Sequence, residues 1–173
     1  MRVITTLLVA LVAAALVPAA GAHVIRADNR IDDFAVKQDG SLRGAIRALG
    51  QPSRIVSTSS ITCRVSWRGL GVRMGFYNLG GADACSPRFG RFSHAVVRGL
   101  RWRTERGLRV GDPVRRLRAL YPNARFRSRV PYAVGWWLVA RTSPNGGRYP
   151  GLLARIRDGR VSALLVRYPA GGD

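Results

Sequence analysis

The 173-residue chain has only two cysteines, two histidines, one lysine (Lys37) and nine acidic side chains. Each scarcity closes off a kind of chemistry. Cys63 and Cys85 form no C-x-x-C pair and no Cys/His cluster, which leaves dithiol redox catalysis and zinc binding without support. Paired carboxylates are missing: Asp32 and Asp33 are adjacent in a polar stretch, while Glu105 and Asp112 fall in a loop and at a helix start. His94 with Ser66, Ser86 or Ser93 has neither the spacing nor the nucleophile elbow of a catalytic triad. No glycine loop leads into a helix with a lysine, so a phosphate cradle is absent too. The expectation is a protein that is not an enzyme and carries no cofactor.

Uninterrupted apolar sequence is equally scarce beyond the first 22 residues. Arg2 precedes an uncharged apolar run, Val3 to Val17, and Ala20-x-Ala22 is the small-residue pattern that signal peptidase reads. Residues 1–22 are therefore expected to be a signal peptide, cleaved after Ala22, with the remainder secreted or otherwise extracytoplasmic. No cysteine follows the cleavage point to take a lipid, and no later segment nears the ~18 apolar residues of a membrane span. In a chain that leaves the reducing cytosol, an even cysteine count reads as a Cys63–Cys85 disulfide.

Arginine is what the chain has in abundance. It supplies 28 of the 29 basic residues, and the formal net charge is +20. Such a surface favours polyanionic partners, although a GC-rich genome also writes arginine for lysine. The densest runs are Arg98 to Arg109 and Arg125-x-Arg127-x-Arg129; at strand spacing Arg101 and Arg103 share a face, as do the latter three. Trp102, Phe126 and Tyr132 interleave with them in a way that permits base stacking. An exported protein rarely meets nucleic acid, so the expected partner is a protein or an anionic envelope component. One metal reading also arises: His23, first after cleavage, offers an amine and an imidazole that with His94 form the donor set of a copper brace.

Periodicity predicts the elements. Leu42, Ala45, Ile46 and Leu49 recur at helical spacing, with Ser41 or Asp39 as cap and Gly50 then Pro52 as stop. Cys63, Val65 and Trp67, then Val72, Met74 and Phe76, alternate with polar residues around a turn at Gly69 to Gly71, as in a hairpin. A loop, Asn78 to Gly90, holds Cys85, and a further strand carries His94, Val96, Leu100 and Trp102 on one parity. A second helix spans Asp112 to Tyr121, with Asp112 as cap and Pro113 at the first helical position. A strand containing Trp136-Trp137 follows, then a loop, Thr142 to Gly151, and a hairpin turning at Asp158-Gly159.

A shift of 71 positions lays Ile46-Arg-Ala-Leu49 on Leu117-Arg-Ala-Leu120. The fold class expected is α+β, in two repeats (39–103 and 104–173) after a polar segment (23–38). Each repeat packs a short helix or helix pair on one face of a three- to four-stranded antiparallel sheet.

The stretch Trp102-x-Thr104-x-x-Gly107-x-x-x-Gly111-Asp112-x-Val114-x-x-Leu117-x-x-Leu120-Tyr121-Pro122 resembles the repeat opening of secreted proteins of the β-lactamase inhibitor protein type, and of the small lipoprotein of the outer-membrane assembly machine. The resemblance implies a helix pair on an antiparallel sheet whose opposite face contacts other proteins. The Cys63–Cys85 spacing is similar to a disulfide of the inhibitor type. The first repeat lacks the Thr…Gly…Gly-Asp opening. On this reading Val65, Trp67, Val72, Met74 and Phe76 face the helix. Arg64, Arg68, Arg73 and Tyr77 lie on the open face, joined from the second repeat by Trp137 and Arg141. These six are the candidate binding residues.

Overall fold

A computed structural model describes residues 21–128, 134–143 and 146–168. Residues 1–20, on which most of the expected signal peptide falls, and Arg129 and Tyr132 of the arginine and aromatic runs, lie outside the described residues. Of those described, 48% are in strands and 16% in helices, and the strands form two sheets of four and eight. This overturns the expected pair of helix-on-sheet repeats.

The small sheet comprises β1 (His23–Arg26), β2 (Arg30–Ile31), β3 (Phe34–Ala35) and, parallel to β1, β8 (Trp102–Thr104). The supposed polar lead-in is thus built into the fold, with a single helical turn, α1 (Val36–Asp39), behind it. The large sheet takes β4 (Arg54–Ser59), β5 (Thr62–Trp67), β6 (Val72–Tyr77) and β7 (Arg91–Val97) from the first half of the chain. From the second it takes β9 (Arg125–Arg127), β10 (Gly135–Thr142), β11 (Arg148–Arg157) and β12 (Arg160–Arg167). Its order is β4-β5-β6-β7-β12-β11-β10-β9, antiparallel throughout. The halves do not form separate repeats because His94–Val97 pairs with Leu164–Arg167 and fuses them into one sheet.

Several local expectations are corrected by the same contacts. The strand through His94 ends at Val97, a tight turn follows, and Trp102 belongs to the other sheet. Arg101 is in that turn and Arg103 in β8, so this part of the arginine run is no ladder. The expected 142–151 loop is mostly strand: β11 begins at Arg148 and carries the buried Pro150 opposite Ala140. A proline lacks the ladder N–H, and it is tolerated there because the pairing slips between Val139 and Ala140. The Asp158-Gly159 turn is as expected, with φ of 50° and 71°, the pair of positive values a tight hairpin needs.

One face of the large sheet is covered by the small sheet and by the helices α2 (Leu42–Leu49) and α3 (Val114–Leu120). Leu42, Ala45 and Leu117 drop into this layer against Val65, Trp67, Met74 and Phe76. Phe34, Phe92 and Phe76 pack edge to face between the sheets, with ring centroids 5.5 and 6.1 Å apart. Ser41 caps α2, its Oγ accepting from Gly44 N at 3.0 Å. Asp112 does not cap α3: the cap is Pro113, and the Asp112 carboxylate accepts from Arg109 N at 2.8 Å and pairs with Arg116 at 3.3 Å. Gly111, at φ 95°, turns the chain so that its N–H reaches Val161 O at 2.7 Å. The conspicuous Gly…Gly-Asp motif is therefore a clasp on the β11–β12 hairpin.

Asp39 supports this layer electrostatically. Ser41 Oγ donates to its Oδ1 at 2.5 Å, and this bond, with further help from Ser41 N and the charges of Arg47 and Arg91, holds its carboxyl below the usual 3.8. A carboxylate favoured in the folded state stabilises above its unfolded pKa and loses that contribution as pH falls through the folded one. Asp39→Asn is therefore expected to melt earlier than the parent at neutral pH. Melts in increasingly acid buffer should show that gap closing below about pH 3.8; a gap that stays constant would mean the carboxylate contributes no charge-dependent stability.

Candidate anion-binding face

The other face of the large sheet is where the chain's charge is concentrated. Twelve arginines lie on its eight strands, and no aspartate or glutamate does. The acids in the described residues sit elsewhere, in the small-sheet turns, α1, the disulfide loop, the β8–α3 connection and the Asp158 turn. Alternation in the strands produces this separation, since β5 and β6 bury Cys63, Val65, Trp67, Val72, Met74 and Phe76 and turn Arg64 and Arg73 outward.

The register places the outward residues in rows. One crosses every strand: Arg54, Ser66, Arg73, Val96, Leu165, Leu153, Trp137, Arg125. Its middle is apolar. Leu153, Ala163 and Leu165 are buried there in a second small cluster with Val96 and Trp137 packed against it. The row beside it runs through Arg64, Gly75, His94 and Arg167. Continuing the register that pairs Leu152 with Val166 puts Gly151 opposite Arg167. The Arg141 side chain lies across Gly151, with Nε 2.5 Å from where a Cβ would stand, and that buried Nε has no hydrogen-bond partner. The two glycines thus provide room for flat-lying side chains.

All six candidate binding residues are found on or at the margin of this face, but they are not one cluster. Arg64, Arg68 and Arg73 share a groove of about 370 Å³ with Arg54 and Arg98. Tyr77 is at the rim, between Thr62 and Arg91. Trp137 and Arg141 lie across the apolar middle, toward a larger cleft. That cleft, of about 760 Å³, is lined by Arg125, Arg127, Trp137 and Arg148, and the Arg127 guanidinium stands 5.8 Å over the Trp137 ring. Trp136 points the other way into the main core, under Arg118 of α3.

His94 is at the centre of the face. Its ring lies over Gly75, its Nδ1 is 3.2 Å from Ser93 Oγ, and Arg64, Arg155 and Arg167 surround it. Desolvation among these side chains, then their positive charges, hold the imidazole below its usual 6.5. Burial and the nearby Arg155 lower Arg167 as well. His23 is in the small sheet, stacked 4.6 Å from Trp102 and bonded to Asp32 at 2.6 Å. The large sheet stands between the two histidines, so the copper brace is not assembled. Among the described residues no three His, Cys, Asp or Glu side chains are grouped to hold a metal.

The disulfide is present, with Cys63 on β5 joined to Cys85 in the loop that precedes β7. Among the described residues no helix is long and apolar enough to cross a membrane. No protein-family model, curated protein or solved structure matches the chain.

Proposed function

We propose that this is an extracytoplasmic, non-enzymatic binding protein whose arginine-bearing sheet face contacts an anionic component of the cell envelope. The observation that carries the reading is the segregation of charge: arginines on all eight strands of one sheet, and no acid on any of them. Field lines from such a face add rather than cancel, and draw a polyanion to it. Because Leu153, Ala163 and Leu165 are already buried, the face offers guanidinium forks rather than an apolar patch. Export is supported by the disulfide and by β1 beginning at His23, directly after the Ala20-x-Ala22 site, so cleavage there leaves every described element whole.

The test is retention on immobilised polygalacturonate and polyphosphate, with neutral dextran as control, across a salt series. The protein is expected to bind both polyanions and to be released by roughly 1 M salt, where charges are screened within about 3 Å. Arg54→Ala/Arg64→Ala/Arg73→Ala should flatten the salt dependence by roughly one unit of slope per arginine removed. Arg43→Ala/Arg47→Ala/Arg115→Ala, on the helix side, should change it far less. Equal losses from the two triples would mean that net charge alone binds; retention unaffected by salt would replace the polyanion with a protein partner held by other contacts.

A further inference from the structure

Within the arginine face, the surroundings of His94 are more specific than a general positive field. Successive pairings bring Arg64 on β5, Gly75 on β6, His94 on β7 and Arg167 on β12 side by side. Arg155, paired with Ala163 four residues before Arg167, adds its positive charge to both His94 and Arg167 from β11. Gly75 allows this: a Cβ there would collide with Cε1 of the His94 ring and stand 2.7 Å from its Nδ1. The ring therefore lies flat on the sheet, in a row flanked by Arg64 on one side and Arg167 on the other. Among the described residues, Ser93 Oγ is its neutral polar contact, and the charged groups acting on it are arginines.

We propose that His94, Arg64, Arg155 and Arg167 form a seat for a single anionic group of the partner (sulfate, phosphate or carboxylate), and that the imidazole takes up one proton from solvent when the anion binds. The inference rests on the anionic-partner reading above and adds where one charge is held and what accompanies it. Arginine forks suit the oxygens of such a group, and a protonated imidazole adds a second ring N–H donor. The coupling follows from the charges. Without an anion, desolvation and three guanidinium groups favour the neutral ring. An anion among them reverses the balance, and by linkage anion affinity then falls as pH rises from the free to the bound midpoint, by about tenfold in all for a one-unit shift.

The chain has only two histidines, so proton NMR of the purified protein reads the seat directly, with His23 in the other sheet as internal control. At constant ionic strength, replacing chloride by sulfate, whose charge is the same across the titration, should raise the His94 midpoint by about one unit. Acetate and phosphate arms of the same titration show which anionic group fits. Arg64→Ala/Arg155→Ala, both exposed positions, should raise the His94 midpoint in chloride by removing repulsion, and should abolish the response to sulfate. A His94 midpoint unmoved by all three anions overturns the seat, and if salt-sensitive retention on polygalacturonate persists, the broader reading survives that failure. A sulfate response without polymer retention would support the seat and overturn the polymer partner instead.

Discussion

Trp102→Ala is expected to cost about 3–5 kcal/mol, the range for emptying a large aromatic site in a core. Trp102 is fully buried, and it joins three parts of the molecule. Its backbone is in β8, beside His23 in the parallel pairing with β1. Its ring stacks on the His23 imidazole at 4.6 Å with the planes 25° apart. Its Nε1 donates to Leu70 O at 2.7 Å, in the turn between β5 and β6. Truncation therefore leaves a cavity and an unpaired carbonyl at once, and removes one of the links between the small sheet and the large one, beside the Phe34–Phe92–Phe76 packing. Trp102→Phe keeps most of the ring and loses only the N–H, so about 1–3 kcal/mol is expected from the stranded carbonyl. Denaturant unfolding gives both numbers. If Trp102→Ala unfolds at the parent's denaturant concentration, the small sheet is not part of the cooperative core.

How far the sequence led to this architecture depends on the kind of signal each element emits. Alternation identified β5 and β6 residue by residue, because one side of each meets the helix layer and the other meets water. Helical spacing found α2 and α3 for the same reason. The same logic put Trp136 in the core and Trp137 on the opposite face, where they are. The fusion of the halves was missed because β7 and β12 are central strands with apolar residues on both faces, buried on both in β12 and half-buried at Val96 of β7. Ala95-Val96-Val97 and Ala163-Leu164-Leu165-Val166 are continuous apolar runs, which is how a doubly covered strand reads; that was the available clue against two separate sheets. The small sheet was not legible, since two-residue strands such as β2 and β3 have no period to detect. The seat around His94 was hidden by long-range pairing. Its row, Arg64, Gly75, His94 and Arg167, comes from four strands, and the sequence does not show that β7 and β12 are neighbours.

Removing the disulfide, as Cys63→Ala/Cys85→Ala, is expected to destabilise the protein by about 3 kcal/mol, the chain-entropy cost of releasing a loop of this length. The cysteines are 22 positions apart. The bond also has a specific structural client. The loop it anchors returns over the start of α2, where Pro87 O accepts from Arg43 N at 2.9 Å and Gly90 O from Leu42 N at 3.0 Å. These are amides of the first helical turn, which have no partner inside the helix. Phe92 N in turn donates to Gly40 O at 2.7 Å, closing the contact from the other side. Helix α2 has only eight residues, too few to persist by local propensity, so its N-terminus depends on this docked loop. Loss of the tether should therefore have a local signature beyond the global one. Hydrogen exchange at Leu42 and Arg43 should accelerate more than at Leu117 in α3, which is far along the chain from the loop. The arginine face should keep its salt-sensitive binding below the new melting temperature, because Cys63 points to the helix side of β5. Uniform acceleration of exchange in both helices would mean that the disulfide acts only through the unfolded chain. Unchanged stability would mean that the 78–90 loop is held by its own contacts without the bond.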